Sequence, residues 1–342
     1  MSMPTLEPAE SGLSPSGSPD IASRRLGTVR RMLAPFGEAR GIARGIVWTG
    51  VVITVFFIVL AVFAPAIAPY NFDTYRSADG VRFAKQEPPS SAHPFGTNVM
   101  STDVMSRVIY GSRTALEVVV LSLFVSLTIG LPLGLFSGYY GGKLDRGLVL
   151  VMDALIAFPS LLFAIVIAFL LSDTFGKGVV TAALAISIVY IPQYFRVVRN
   201  HVISVREEPY VEAARAIGAP PPTIIRRYVF QNVVQNVPVI ATLNAADAIL
   251  TLAALGFLGY GIQPTEAAEW GYDIKRAISD AGAGIWWTGL YPGLAIVLLV
   301  TGLTLLGEGL NDVLNPVIRK RKRVPVTFPP RAEQHEEVEL DR

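Results

Sequence analysis

Six stretches of this chain are apolar over a length that matters. They cover residues 46–64, 116–136, 148–171, 179–195, 237–258 and 286–306. Each is about 17 to 24 residues, enough at 1.5 Å per residue to cross a hydrocarbon layer about 30 Å thick. The pattern predicts an all-α, polytopic membrane protein with six transmembrane helices. The fourth run is the shortest and contains Pro192, and the fifth has an alternative start near Val229. The first run follows about 45 polar residues and is itself long enough to span, so it reads as a retained helix rather than a cleaved leader. Residues 1–23 are rich in Ser, Pro, Gly and Glu, and residues 324–342 in Pro and then Glu. Neither has the apolar content to pack, and both are expected to be disordered tails. The expected organisation is a tail over 1–44, a membrane domain over 45–318, and a basic, then acidic tail over 319–342.

Composition agrees: 51% of the 342 residues are hydrophobic, 16% are charged, and the mean hydropathy is +0.47. Orientation comes from the basic residues. With the amino terminus inside, nineteen Lys and Arg fall on inner segments, in clusters at 24–44, 143–146, 196–227 and 319–323, against eight on outer segments. That asymmetry places both termini in the cytoplasm of a cell with the chain multi-pass in its plasma membrane, and leaves outer loops at 69–112 and 257–287. The net charge of +2 adds little, and the basic clusters read as topology determinants rather than nucleic-acid patches.

Between the fourth and fifth runs lies a polar interlude, REEPYVEAARAIGAPPP at 206–222. Glu207, Glu208 and Pro209 supply a helix start, and Gly218 with Pro220, Pro221 and Pro222 a stop. The predicted helix covers about 207–219, roughly three turns. Tyr210, Ala213, Ala214 and Ile217 follow an i, i+3, i+4, i+7 spacing, which makes a small apolar face with Glu212 beside it. Such a face lets another surface approach the backbone closely; the local pattern fits equally a capped helix lying on headgroups or on its own bundle.

The chain has no cysteine, which excludes disulfides, thiolate metal sites and cysteine nucleophiles. His93, His201 and His335 are far apart in sequence, and no metal is expected. Gly141, Gly142 and Lys143 resemble the end of a phosphate loop, but Ser137 and Leu144 break its pattern. No catalytic motif is present, so the chain is not expected to be an enzyme or to hold a cofactor. Asn244 and Asp247, about one turn apart in the fifth run, are costly in lipid and are candidates for a translocation path or for buried structural hydrogen bonds. Asp153, close to Arg146, is read as anchoring an inner loop. Gly130, Gly134 and Gly138, four residues apart around Pro132, read as a close helix-packing seam. Trp270, Trp286 and Trp287 read as outer-interface anchors.

The segment EAARAIG at 212–218 resembles the Glu-Ala-Ala-x-x-x-Gly motif of ABC importer permeases. Further segments resemble the dipeptide and oligopeptide permeases, specifically the C-type partner of the two-permease pair: HPFGTNVMSTDVMSRVIYGSR (93–113), SGYYGGKLDR (137–146), AFPSLLFAI (157–165), LGFLGYGIQP (255–264), Trp270 with Gly271, and LYPGLAIVLLVTGLTLLGEGLNDVLNP (290–316). The similarity covers about residues 45–320. It implies a type I ABC importer permease fold and a transmembrane subunit forming half of a peptide path. It also implies a second homologous permease, one or two ATPase subunits carrying ATP and Mg, and an extracytoplasmic substrate-binding protein. Tyr210, Glu212, Ala213, Ala214, Ile217 and Gly218 would then form the coupling helix that docks on the ATPase. The chain departs from the family at Phe230 and Gln231, where Leu-Pro is usual, which suggests a more regular start to the fifth helix, with Pro238 able to kink it. Leu252 stands where an acid is often found. The competing reading is a self-sufficient secondary transporter or channel with a surface helix; that class predicts internal repeats, interrupted helices or paired intramembrane charges.

Overall fold

The computed structural model describes residues 42–314. Nothing is regular there except helix. The chain runs α1 (Ile42–Val62), α2 (Ala64–Ile67), α3 (Val104–Tyr140), α4 (Gly142–Ile156), α5 (Ser160–Phe175), α6 (Val179–Arg206), α7 (Pro209–Ala216), α8 (Pro221–Ile224), α9 (Phe230–Val233), α10 (Val237–Leu258), α11 (Trp270–Gly282) and α12 (Trp287–Leu314). Among the described residues five helices, α1, α3, α6, α10 and α12, are long and apolar enough to cross a membrane; α4 and α5, bent by 94° at the break between them, count as a sixth if the pair is one broken span.

The third apolar run is therefore not one helix. Pro159 disfavours helical backbone at Phe158, and α4 ends at Ile156 while α5 restarts at Ser160. The second run belongs to a much longer helix of 37 residues, because the polar stretch before it is also helical: Asp103 caps it, accepting from Ser106 N at 2.7 Å. The fourth continues past Pro192 to Arg206 without a break. The expected regular start of the fifth helix is absent. Residues Ile225–Val229 form a π-turn and Val234–Asn236 a 3-10 turn on either side of α9, and α10 proper starts at Val237, one residue before Pro238.

The most extensive helix pair is α3 with α6. A Cβ on Gly130 would stand 2.8 Å from Ile191 O, on Gly134 2.7 Å from Phe195 O, and on Gly138 2.7 Å from Val202 Cβ. The four-residue repeat keeps all three on one side of α3, so the backbones come together as the sequence suggested. Beside this seam, Ala164, Ala183, Ile186, Ile249, Leu252 and Leu299 join α5, α6, α10 and α12 into the main core. A smaller cluster of Leu135, Val198, Val202, Val211, Ala214, Ile224, Val229 and Val233 closes the bundle at the end that bears α7.

Polar contacts fix the corners. Asp145 at the start of α4 takes a bidentate Arg199 and a Ser137 hydroxyl. Asp153 pairs with Arg196 at 2.8 Å rather than with Arg146, seven residues before it, because α4 lies along α6 and brings Arg196 across.

Candidate functional site

Two places in the bundle are candidates for function. The first is the loop containing α7. It is shorter than expected, eight residues in about two turns: Glu207 ends α6, Glu208 is the N-cap without a side-chain bond, and Pro209 occupies the first position. Gly218 stops it with φ +81°, and the amides of Gly218 and Ala219 donate to Arg215 O and Ala214 O at 2.9 and 3.0 Å. Two crossed bonds closing on a left-handed residue make a Schellman stop, which a residue with a Cβ enters at a cost.

One face of α7 holds it to the bundle. Val211 and Ala214, three residues apart, are buried in the end cluster. Ala214 was expected on the docking face and lies on the anchoring one. A helix this short offers no long pattern to separate two faces of small apolar residues. Tyr210, Glu212, Ala213, Ile217 and Gly218 are exposed, Ile217 at 82%. Tyr210 Oη accepts from Asn232 Nδ2 at 3.1 Å, the Arg215 guanidinium lies 5.7 Å over the Tyr139 ring, and Arg206 donates to Gly138 O at 2.8 Å. Among the described residues Glu212 has no ion-pair partner. The loop is thus tied to α3 and α6 while it presents a small apolar surface with an unneutralised carboxylate.

The second place is halfway through the bundle. Asp247 is exposed on α10, in a stripe with Leu243 and Leu250, and accepts from Tyr190 Oη at 2.7 Å. Asn244 is buried; its Nδ2 and the neighbouring Tyr194 Oη both lack a conventional hydrogen-bond partner in the described residues. The two residues named from the sequence are thus near each other but not equivalent, one turned out and one turned in.

Residues 130–320 match the family model of binding-protein-dependent transport system inner membrane components, and residues 45–89 match the N-terminal TM domain of oligopeptide transport permease C. The chain belongs to this permease family. Among its relatives, the dipeptide transport system permease protein DppC of Alkalihalophilus pseudofirmus is 37% identical, over 79% of this chain and 85% of that one. The glutathione transport system permease protein GsiD of Pectobacterium atrosepticum is 35% identical, over 77% and 84%. Among solved structures, an inward-facing MetNI methionine ABC transporter shares the fold, with a TM-score of 0.51 and 21% identity over 62% of this chain and 98% of that one. The family resemblance and the multi-pass helical permease fold read from the sequence are borne out.

The permease also carries a buried polar layer at the end away from α7 that the sequence reading missed. Arg107 on α3 reaches Asp273 on α11 through Nε at 2.9 and 3.0 Å, with both side chains nearly inaccessible, and donates to Phe72 O at 3.3 Å. Glu269 caps α11 by accepting from Gly271 N and Tyr272 N; burial pushes its carboxyl up to about 8 against the pull of those two amides. Asp273 is likewise raised by burial, opposed by Arg107. Asp280 accepts from Gln86 and Thr288, and His93 Nδ1 is 3.0 Å from Asp103. Trp270 and Trp287 are not interface anchors: both are buried, and their indoles donate to Val108 O and Thr97 O, so these rings bind the outer segments together. Trp286 alone of the three is exposed. Among the described residues no group of His and acids is arranged to hold a metal ion, and His335 lies outside them.

Proposed function

We propose that this permease forms half of the translocation path of an ATP-driven importer for small peptides, with a second homologous permease forming the other half. One or two ATPase subunits would carry the ATP and Mg, and an extracytoplasmic binding protein would deliver cargo to the loops at 69–112 and 257–287. Both termini would then be cytoplasmic, as the distribution of basic residues implies. This chain would hydrolyse nothing itself.

The observation that carries the reading is the two-sidedness of α7. Val211 and Ala214 lock it to the bundle, while Tyr210, Glu212, Ala213, Ile217 and Gly218 face out. Small residues allow close seating in a cleft, and Glu212 is available for a basic partner. A push on α7 would pass through Arg206 and Tyr139 to the close α3–α6 seam, which moves as a unit because its backbones are in contact. Supporting the peptide assignment, the relatives named above carry a dipeptide or glutathione, molecules that share a primary ammonium and a carboxylate. Asp247 is proposed to lie on the path, with Asn244, expected there from the sequence, buried behind it.

The test is a mild-detergent purification of the permease from cells expressing its neighbouring genes, followed by mass spectrometry and by ATPase assays of the recovered complex. Recovery of a second permease and an ATPase is expected, with Glu212→Lys leaving membrane insertion intact but separating ATP hydrolysis from peptide uptake. A stable, monodisperse chain that transports alone would overturn the reading in favour of a secondary transporter.

A further inference from the structure

Asp247 is in an unusual position. It lies ten residues from the start of α10 at Val237, about 15 Å along a helix that crosses the bilayer, and so near mid-depth. Its neighbours on the exposed stripe are Leu243, one turn before, and Leu250, one turn after. Among the described residues no lysine, arginine or histidine lies within ion-pair distance of it, and only one of its two oxygens, Oδ2, accepts a hydrogen bond. A carboxylate held at that depth without a countercharge in its own chain does not face lipid; it meets water, takes up a proton, or pairs with a cation from outside.

The surroundings indicate where it comes from. Tyr190, which donates to Asp247, is one turn from Gln193 on α6, and Gln193 is exposed. Gln193 also lines a groove of about 290 Å³ with Leu155, Phe158, Pro159 and Ser160, at the break between α4 and α5. The last carbonyls of α4 and the first amides of α5 have no helical partners, and backbone of this kind at membrane depth is tolerated only against protein or water. Asp247 and Gln193, both exposed on either side of the buried Tyr190, together with the interrupted helix beyond, suit a hydrated wall better than a dry subunit seam.

We propose that Asp247, positioned by Tyr190, is a cation subsite on the translocation path that receives the primary ammonium of the cargo. Tyr190 satisfies Oδ2 and fixes the carboxylate plane, and Oδ1 is left to accept from an ammonium N–H. A single charge-assisted contact is weak enough to release cargo, as a path must. The assignment rests on the path reading given above and adds the chemistry of the ligand to it.

The absence of cysteine makes the test direct. Leu243→Cys and Leu250→Cys are made singly, with and without Asp247→Asn, in the full transporter in membrane vesicles. Labelling of this chain is timed with two water-soluble methanethiosulfonates, one bearing a trimethylammonium and the other a sulfonate. The cationic reagent is expected to be favoured, the ratio of the two rates to fall about tenfold in Asp247→Asn, and dialanine supplied with the binding protein to slow the cationic reaction. Labelling by both reagents with a ratio that ignores Asp247 would overturn the ammonium subsite while leaving the path. No labelling by either, at both positions, would overturn both, as would loss of the second permease from the purified Asp247→Asn complex, which would mark Asp247 as an intersubunit contact.

Discussion

Replacing Gly218 probes whether α7 acts as a rigid element. Its φ of +81° lies in the left-handed region, and a Cβ built there meets nothing within 4 Å. Any penalty within the chain therefore comes from backbone conformation, not from crowding. A residue with a Cβ costs about 1–2 kcal/mol in that region, while Asn tolerates it. If the chain escapes the strain by leaving the conformation, it gives up the bonds from Gly218 and Ala219 to Arg215 and Ala214, and the docking-competent loop becomes about 5- to 30-fold rarer at 25 °C. The series Gly218→Asn, Gly218→Ala and Gly218→Val should then rank in that order, Asn close to wild type and the β-branched Val worst. The readout is cargo-stimulated ATPase activity of the reconstituted transporter, alongside the amount of ATPase subunit retained on this chain. Equal losses for Asn and Val would refute the backbone argument, because they would show that the partner's surface rejects any side chain at 218.

The seam and the distant polar layer give further expectations. Gly134→Ala puts a methyl 2.7 Å from Phe195 O and 2.9 Å from Val198 Cβ; the helices must part, at a cost of about 1–3 kcal/mol, seen as a lower thermal midpoint in detergent. Arg107→Met leaves Asp273 buried without its partner and should destabilise by about 3–5 kcal/mol, whereas Arg107→Met with Asp273→Leu should recover much of that loss. Glu269 has its carboxyl raised from an ordinary 4.5 to about 8, so the folded state holds a proton that the unfolded state has released. Its contribution is complete below about 4.5 and is lost as pH rises through about 8. Thermal midpoints should fall across that window, and Glu269→Gln should flatten the fall; a slope unchanged in the variant would assign it to other groups.

Much of the architecture was legible because bilayer crossing is a property of composition over a window. The runs at 46–64 and 237–258 each find a helix within a few residues, and the run at 286–306 finds one that continues to Leu314. The breaks were harder. The run at 148–171 is apolar on both sides of Pro159, so hydropathy passes over a 94° bend that the proline alone announces. The helix through Arg107 was missed at its polar start because its charges are neutralised by Asp273, 166 residues away, and pairing at that separation leaves no local pattern. The tryptophans were assigned to the interface by residue type, whereas Trp270 and Trp287 find carbonyl partners inside the protein. In α7 the apolar face was recognised but one member was misplaced: Ala214 packs inward with Val211, while Tyr210, Ala213 and Ile217 face out. The signal that could have separated them is the larger buried surface of Val next to a tyrosine that carries a hydroxyl.

The central claim is that the outward face of α7 meets an ATPase subunit. Because the chain has no cysteine of its own, single replacements Ala213→Cys, Ile217→Cys, Val211→Cys and Ala214→Cys can be made and treated with a short bifunctional cross-linker in the purified transporter. Covalent joining to the ATPase at 213 and 217, with none at the buried 211 and 214, is the expected pattern. Joining only to the second permease, or equally from all four positions, would contradict the claim.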